Sequence, residues 1–211
     1  MTIQCTPTGR ITRSLLGYGI VAGPIYVAVS MAQALTRDGF DLSRHAWSLL
    51  SNGGLGWIQI ANFVVTGLMT LAAAAGLRRA LPDGRTRTWA PVLIGGYGAS
   101  LIGAGVFRAD PAQGFPAGAP ETPAVSWHGA LHFAIGGVGF LCLIAACLVL
   151  AGHFSGALAW FSRITAVVFL AGFAGIASGS HGPTTLAFVA AVVIAWTWLT
   201  TVSLHLYRTA A

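Results

Sequence analysis

The chain has 211 residues, of which 55% are hydrophobic and only 8% are charged. A soluble globular domain carries about 25% charged residues, so this chain cannot cover itself with a polar surface. Its net charge of +6 comes from arginines in short loops rather than from a basic helix or an aromatic platform, which argues against a nucleic-acid partner. The composition therefore predicts a single integral membrane domain over residues 1–211.

A transmembrane helix needs about 20 mostly apolar residues, and six stretches approach or exceed that length, with Arg163 near the start of the fifth as the one arginine inside them. We predict an all-α, polytopic bundle of about six transmembrane helices. The predicted spans are residues 14–36, 56–77, 89–107, 127–151, 158–177 and 183–206. The first span ends in a small-x-small pattern like a signal-peptidase site, but its apolar stretch is longer than a signal core, so we predict a retained helix.

The arginines of the loops predict the orientation of the bundle. Eight fall on the side of the two termini, and three fall on the other side: Arg37, Arg44 and Arg108. Cytoplasmic loops carry the excess of positive charge in membrane proteins. We therefore expect a multi-pass protein of the cell (cytoplasmic) membrane, such as a bacterial inner membrane, with both termini in the cytoplasm and the lipid bilayer as its first partner.

Polar residues concentrate in the segment between the first two spans. Residues 41–51 predict a short helix that lies in the interface or re-enters the bundle. The segment supplies two candidate catalytic residues, His45 and Ser48, and three candidate substrate-binding residues, Asn52, Gln59 and Asn62. The alternative for Gln59 and Asn62 is that they hydrogen-bond between helices.

A second polar segment precedes and opens the fourth span. It contains Arg108, Asp110 and Trp127, from which we predict a catalytic role for Asp110 and substrate binding by the other two; alternatively, Arg108 and Asp110 pair with each other. The next residues, His128 and His132, are spaced by four and so share one helix face.

Two neutral imidazoles on one helix face can chelate a divalent metal. Zinc is the first choice, and a catalytic zinc needs a third protein ligand, for which His181 is the best candidate. A histidine pair without the glutamate of a zinc-protease motif is also typical of an interfacial hydrogen-bonded pair, and that alternative stays open.

Three segments resemble a bacterial and archaeal family of multi-pass membrane proteins, the domain of unknown function 998. They are SLLSNGGLGWIQIAN at residues 48–62, FRADPAQGFP at residues 107–116 and WHGALH at residues 127–132. The resemblance covers most of the chain and implies a six-span bundle. It implies no established activity.

Several functions are compatible with these residues. One is a membrane-embedded enzyme that acts on a lipid or another apolar small molecule, either as a zinc-assisted hydrolase or as an acid–base isomerase or cyclase. A second is a non-enzymatic transporter, binding or assembly protein, although ionisable residues are scarce at mid-membrane depth in spans three, five and six. A third is a haem protein with histidine ligands.

Overall fold

A computed structural model describes residues 7–122, 124–179 and 182–210 of the chain. Within these ranges the chain forms six α-helices and one short 3-10 helix, which confirms the predicted all-α bundle. The α-helices are α1 (Pro7–Thr36), α2 (Gly56–Ala80), α3 (Arg85–Val106), α4 (Trp127–Ala151), α5 (Gly156–Ala177) and α6 (Pro183–Thr209). The 3-10 helix, Trp47–Ser51, lies between α1 and α2.

All six α-helices are long and apolar enough to cross a membrane. They extend beyond the predicted spans at the end that carries most arginines: α1 begins at Pro7 rather than at residue 14, and α3 begins at Arg85 rather than at residue 89. Hydropathy marks only the hydrocarbon core, whereas a helix continues through the headgroup region, where arginine side chains reach water.

The helices form a closed ring in chain order. Each helix packs against its neighbours in sequence, and α1 packs against α6 to close the ring. Arg13 on α1 donates a hydrogen bond to the carbonyl oxygen of Ala210 at 2.9 Å, so the first and last described segments meet at one end of the bundle. We call this the terminal end. The opposite, distal end is where α1, α3 and α5 finish and α2, α4 and α6 begin.

Glycine allows α2 and α3 to pack closely. A Cβ atom on Gly67 would lie 2.8 Å from the carbonyl oxygen of Gly98, and a Cβ on Gly98 would lie 2.9 Å from that of Gly67. Any larger side chain would push the two backbones apart. Small residues of this kind are common where membrane helices associate, because association there depends on close packing rather than on the hydrophobic effect.

Exposed tryptophans mark both ends of the bundle. Trp57 and Trp127 lie at the distal starts of α2 and α4, and Trp89 and Trp160 lie near the starts of α3 and α5 at the terminal end. Tryptophan is enriched at the two membrane–water interfaces because its ring is apolar while its N–H is polar. The positions of these four side chains agree with a bundle that spans the bilayer.

The distal end is covered by what we call the distal lid, residues 37–55 and 107–122. The predicted short helix after α1 is present, but it is a 3-10 helix limited to Trp47–Ser51, and residues 41–46 form turns before it. Its residues Trp47, Leu49 and Leu50 are buried against α1 and α2. The short helix therefore packs against the bundle and does not lie apart from it in the membrane interface.

Candidate functional site

A cavity lies inside the ring beneath the distal lid. It is lined by residues from all six α-helices and from the short helix. Its volume, measured as the space open to the centre of a water molecule, is about 150 Å³. One water needs roughly 10–15 Å³ on this measure, so the cavity is much larger than a hydration site. Phe133 on α4 and Ala177 on α5 line the cavity and are also exposed on the outer surface. The wall of the cavity therefore reaches the outer surface between α4 and the distal end of α5.

His132 is the imidazole that lines this cavity. Its Nδ1 lies 2.8 Å from the carbonyl oxygen of Phe107 and 3.3 Å from that of Ala104. Because a carbonyl oxygen only accepts, Nδ1 carries the proton, and in the neutral ring Nε2 is an unprotonated acceptor. No partner for Nε2 is found among the described residues. His132 thus offers one free basic nitrogen inside an otherwise mostly apolar space.

Asp110 does not line the cavity but fixes the start of α4. Its carboxylate accepts hydrogen bonds from the backbone N–H of Ser126 at 2.9 Å and from the Ser126 hydroxyl at 2.5 Å. The Ser126 oxygen in turn accepts from the N–H of Gly129 at 3.1 Å, which caps the helix. A negative charge is favourable at a helix N-terminus. Asp110 therefore ties the loop that follows Phe107 to α4, next to His132.

The predicted Arg108–Asp110 pair is wrong. Both Asp110 oxygens are bonded to Ser126, and Arg108 is exposed and forms no ion pair within the described part of the chain. A backbone N–H at a helix start is a better partner here, because the carboxylate reaches it without holding a long side chain in place.

His45 lies in the distal lid with both ring nitrogens engaged. Its Nδ1 accepts from the backbone N–H of Asp41 at 2.9 Å, so Nε2 carries the proton and donates to the carbonyl oxygen of Gln113 at 3.0 Å. The ring packs between Phe40 and Phe115, with centroids 5.2 Å and 5.5 Å away. In this arrangement His45 joins the two loops of the lid and has no free nitrogen for a substrate.

Asp41 carries a perturbed charge at the edge of the lid. The hydroxyl and the backbone N–H of Ser43 both donate to the Asp41 carboxylate, at 2.7 Å and 2.8 Å, and hold its pKa below the usual value. The carboxylate is exposed. It therefore stabilises the local turn rather than acting on the cavity.

Arg37, which sequence reasoning assigned only to a loop, organises the lid. Its guanidinium donates to the carbonyl oxygens of Leu50 at 2.5 Å and Asn52 at 2.6 Å and lies over the Phe115 ring, 4.9 Å from its centroid. The Asn52 amide nitrogen donates across the lid to the carbonyl of Ala109 at 3.1 Å. Partial burial lowers the pKa of Arg37 from its usual value. The only sequence signal was its place directly after α1.

Gln59 and Asn62 belong to a buried amide cluster between α1 and α2. The Gln59 oxygen accepts from the Gln33 amide at 2.9 Å, and the Asn62 amide donates to the Ser30 hydroxyl at 3.1 Å and to the carbonyl of Tyr26 at 3.1 Å. None of the four polar side chains Ser30, Gln33, Gln59 and Asn62 lines the cavity. This matches the alternative of hydrogen bonding between helices.

The remaining predicted site residues are spread over the distal end. Ser48 lines the cavity from the short helix. Trp127 and His128 are exposed, with their ring centroids 3.5 Å apart, so His128 lies on the surface while His132 faces inward. His181, the predicted third metal ligand, lies outside the described residues. Within those residues no three His, Cys, Asp or Glu side chains come together as a metal site.

Two tyrosines in the wall of the cavity were missed by sequence reasoning. Tyr26 on α1 and Tyr97 on α3 line its deeper part, and both rings contact Trp196, at centroid distances of 5.1 Å and 5.6 Å. Each lies inside an apolar run, and nothing in the sequence distinguishes it from a core aromatic residue. The inward position depends on how the helices are ordered around the ring.

Comparisons with known proteins identify the family but supply no activity. No curated protein and no solved structure matches this chain. Residues 20–205 match the family described as "Protein of unknown function (DUF998)". That match covers most of the chain, including the three segments at residues 48–62, 107–116 and 127–132. The chain is a multi-pass membrane protein and belongs to the DUF998 family.

Proposed function

We propose that this protein is a membrane-embedded enzyme that binds a lipid or another apolar molecule in the cavity and moves a proton with His132. The observation that carries the proposal is the placement of His132, whose Nδ1 is held by the Phe107 carbonyl while Nε2 faces the cavity without a described partner. A buried imidazole that donates a hydrogen bond with one nitrogen and has the other nitrogen free commonly acts as a general base.

The walls of the cavity favour an apolar substrate. Most of the lining is aromatic or aliphatic, and its wall reaches the outer surface between two apolar helices, α4 and α5. Ligand sites are typically apolar cavities with a few polar groups that set orientation. Here those groups are His132, Ser48, Ser100 and the tyrosines Tyr26 and Tyr97.

The geometry supports acid–base isomerisation or cyclisation. Nε2 takes a proton from the bound molecule, and the Nδ1–H remains bonded to the Phe107 carbonyl and steadies the imidazolium. The proton then returns to a different atom of the same molecule, so that the reaction needs no co-reactant. A mostly apolar cavity keeps water from competing for the proton.

Metal-assisted hydrolysis has less support from the described residues. His128 stacks on Trp127 at the surface, so the predicted chelating pair is divided between the outside and the inside of the bundle. A catalytic zinc needs three protein ligands. His132 would therefore require ligands that the described residues do not bring to it.

One observation favours a non-catalytic binding protein as the second candidate. No carboxylate lines the cavity among the residues that the structure describes, so His132 has no acidic partner inside it. Under either function, the excess of arginine at the terminal end supports an orientation in which the distal lid and the cavity lie on the non-cytoplasmic side.

The experiment uses the whole protein extracted with its surrounding lipid in polymer-bounded discs and incubated in D₂O. Bound apolar molecules are then identified by mass spectrometry, with carbon-bound deuterium as the readout of proton transfer. Four variants are compared: His132→Phe, His128→Phe, Gly136→Leu and Gly17→Leu. Gly136 lines the cavity and has open space beside it, whereas Gly17 has similar space on α1, away from the cavity.

We expect the wild-type protein, His128→Phe and Gly17→Leu to retain a molecule enriched over the bulk lipid and to label it on carbon. Gly136→Leu should lose the molecule because the new side chain fills the cavity. His132→Phe should keep the molecule but not label it. If the wild-type protein retains a molecule but does not label it, the protein is a binding protein and not an enzyme. If no molecule is enriched in the wild type, both proposed functions are contradicted.

A further inference from the structure

We propose that the molecule in the cavity is an uncharged amphiphile, an alcohol or a phenol with an apolar tail, and that its hydroxyl group donates a hydrogen bond to Nε2 of His132. This inference rests on the proposed function, because it names the chemical class of ligand that the same cavity takes. Three features of the described structure carry it: the hydrogen-bonding state of His132, the absence of charge in the cavity wall, and the arrangement of polar and apolar surfaces.

The first feature is that the free nitrogen of His132 needs a donor. Nδ1 donates to the carbonyls of Phe107 and Ala104, so the neutral ring presents only an acceptor to the cavity. An ester, a ketone or an ether cannot satisfy it, because each of these groups only accepts. A hydroxyl group donates, so it satisfies this nitrogen.

The second feature is the absence of charged groups. No Arg, Lys, Asp or Glu is found among the described residues that line the cavity. Of the nearby charges, Arg37 binds the carbonyls of Leu50 and Asn52, and Asp110 binds Ser126. Arg108 is exposed and does not line the cavity. A phosphate or carboxylate inside this cavity would lack a cationic partner, and burying an unpaired charge is costly. The head group of the ligand is therefore neutral.

The third feature is the segregation of the wall. The polar groups of His132, Tyr97 and Ser100 come from α3 and α4, which also contribute apolar residues, whereas α5 and α6 contribute only apolar ones. On that side the rings of Phe173 and Phe188 pack against Phe140. An amphiphile fits this division with its hydroxyl at His132 and its tail against the phenylalanines.

The depth of the cavity suits an elongated tail. Tyr97 is seven residues from Ala104, whose carbonyl faces His132, and this corresponds to about 10 Å along α3. The cavity therefore continues well below the imidazole, toward the middle of the membrane. Phe133 both lines this space and is exposed on the outside of α4, and we place the entry of a membrane-dissolved amphiphile beside it.

The test compares three probes that share one tail: farnesol, farnesyl methyl ether and farnesyl phosphate. Their binding to the full chain in lipid nanodiscs is measured by native mass spectrometry, with His132→Phe, His128→Phe and Gly136→Leu beside the wild type. The ether lacks the donor, and the phosphate adds a negative charge. In the wild type we expect farnesol to bind about five- to tenfold more tightly than the ether, the effect of one hydrogen bond, and the phosphate to bind least.

His132→Phe should bind farnesol and the ether equally, because the acceptor is gone while the ring volume remains. His128→Phe should preserve the preference for farnesol. Equal binding of alcohol and ether in the wild type, both abolished by Gly136→Leu, would overturn the hydroxyl inference and leave the proposed binding function intact. Tighter binding of the phosphate would also overturn it. If all three probes bind and Gly136→Leu changes none of their affinities, the cavity is not the binding site.

Discussion

His132 and Phe107 are joined by a hydrogen bond between the imidazole Nδ1 and a backbone carbonyl oxygen 2.8 Å away. Phe107 directly follows α3 as its C-terminal cap residue, so its carbonyl has no partner within the helix and is free to accept. The backbone at the end of α3 thereby determines which ring nitrogen of His132, on α4, carries the proton. The chemistry proposed for the cavity depends on this contact.

The two histidines that are buried in the described part of the chain should be opposite tautomers. His132 carries its proton on Nδ1, whereas His45 accepts from the Asp41 N–H with Nδ1 and carries its proton on Nε2. Nitrogen NMR of histidine-labelled protein distinguishes the two forms, and His132→Phe and His45→Phe assign the signals. An Nε2–H form of His132 would remove the free acceptor and contradict the geometry of the cavity.

Gly129 should tolerate no side chain. A Cβ atom there would lie 1.9 Å from the Asp110 carboxylate, so Gly129→Ala must displace the cap of α4. We expect a loss of about 1–3 kcal/mol, measured by reversible unfolding in detergent. Gly136→Ala, with open space at its Cβ, is the control and should cost far less. In an Asp110→Ala background the cost of Gly129→Ala should shrink, and purely additive effects would show that the carboxylate is not the obstacle.

Arg37→Lys should loosen the distal lid. Lysine cannot reproduce the forked contact with the carbonyls of Leu50 and Asn52. Hydrogen exchange of the backbone amides in residues 46–52 should therefore become faster. Arg44→Lys is the matched control, because Arg44 pairs with Glu121 on the exposed surface at 2.8 Å, and such pairs contribute little. Both substitutions keep the positive charge, so equal acceleration in the two variants, or no acceleration in Arg37→Lys, would show that the forked contact does not hold the lid.

Gln59→Leu should weaken the contact of α1 with α2 without emptying the cavity. It removes the Gln59 oxygen from the Gln33 amide and the Ser30 hydroxyl, which keep the Val29 carbonyl and the Asn62 amide as partners, at a cost of about 0.5–2 kcal/mol. Thr201→Val, which removes only a hydrogen bond within α6 from a half-buried hydroxyl to the Thr197 carbonyl, is the control. Stability is measured by unfolding in detergent, and ligand retention by mass spectrometry. Loss of ligand at unchanged stability would instead support the prediction that Gln59 binds substrate.

Much of the fold was predictable because one physical signal dominates it. Each span needs a long apolar run, and every predicted run became a helix, with α4 bounded as predicted by residues 127–151. The ends of α1 and α3 were less predictable, since helices continue past the hydrocarbon core. The short helix between α1 and α2 was predicted. The hydrogen bond from His45 to the Gln113 carbonyl was not, because it joins two loops that are far apart in the sequence.

The candidate site was predictable only in its general location. Polar residues collect at the distal end, and the sequence showed this. Whether a given side chain faces inward depends on the order of the helices around the ring. His128 and His132 differ by about 40° around α4, enough for one to stack on exposed Trp127 and the other to face the cavity. Tyr97 carried no signal at all, because it lies in an apolar run.

Because α1 packs against α6, the six helices form a closed ring. The chain could therefore begin at a different helix without changing which helices are neighbours. Arg13 and Ala210 already meet at the terminal end, and the connection between α2 and α3 at the same end spans only residues 81–84. A circularly permuted chain, linked from residue 210 to residue 7 and opened between α2 and α3, would keep every neighbouring pair of helices and the same sidedness. We expect such a rewired protein to assemble the same bundle, with its cavity and lid untouched by the new connectivity.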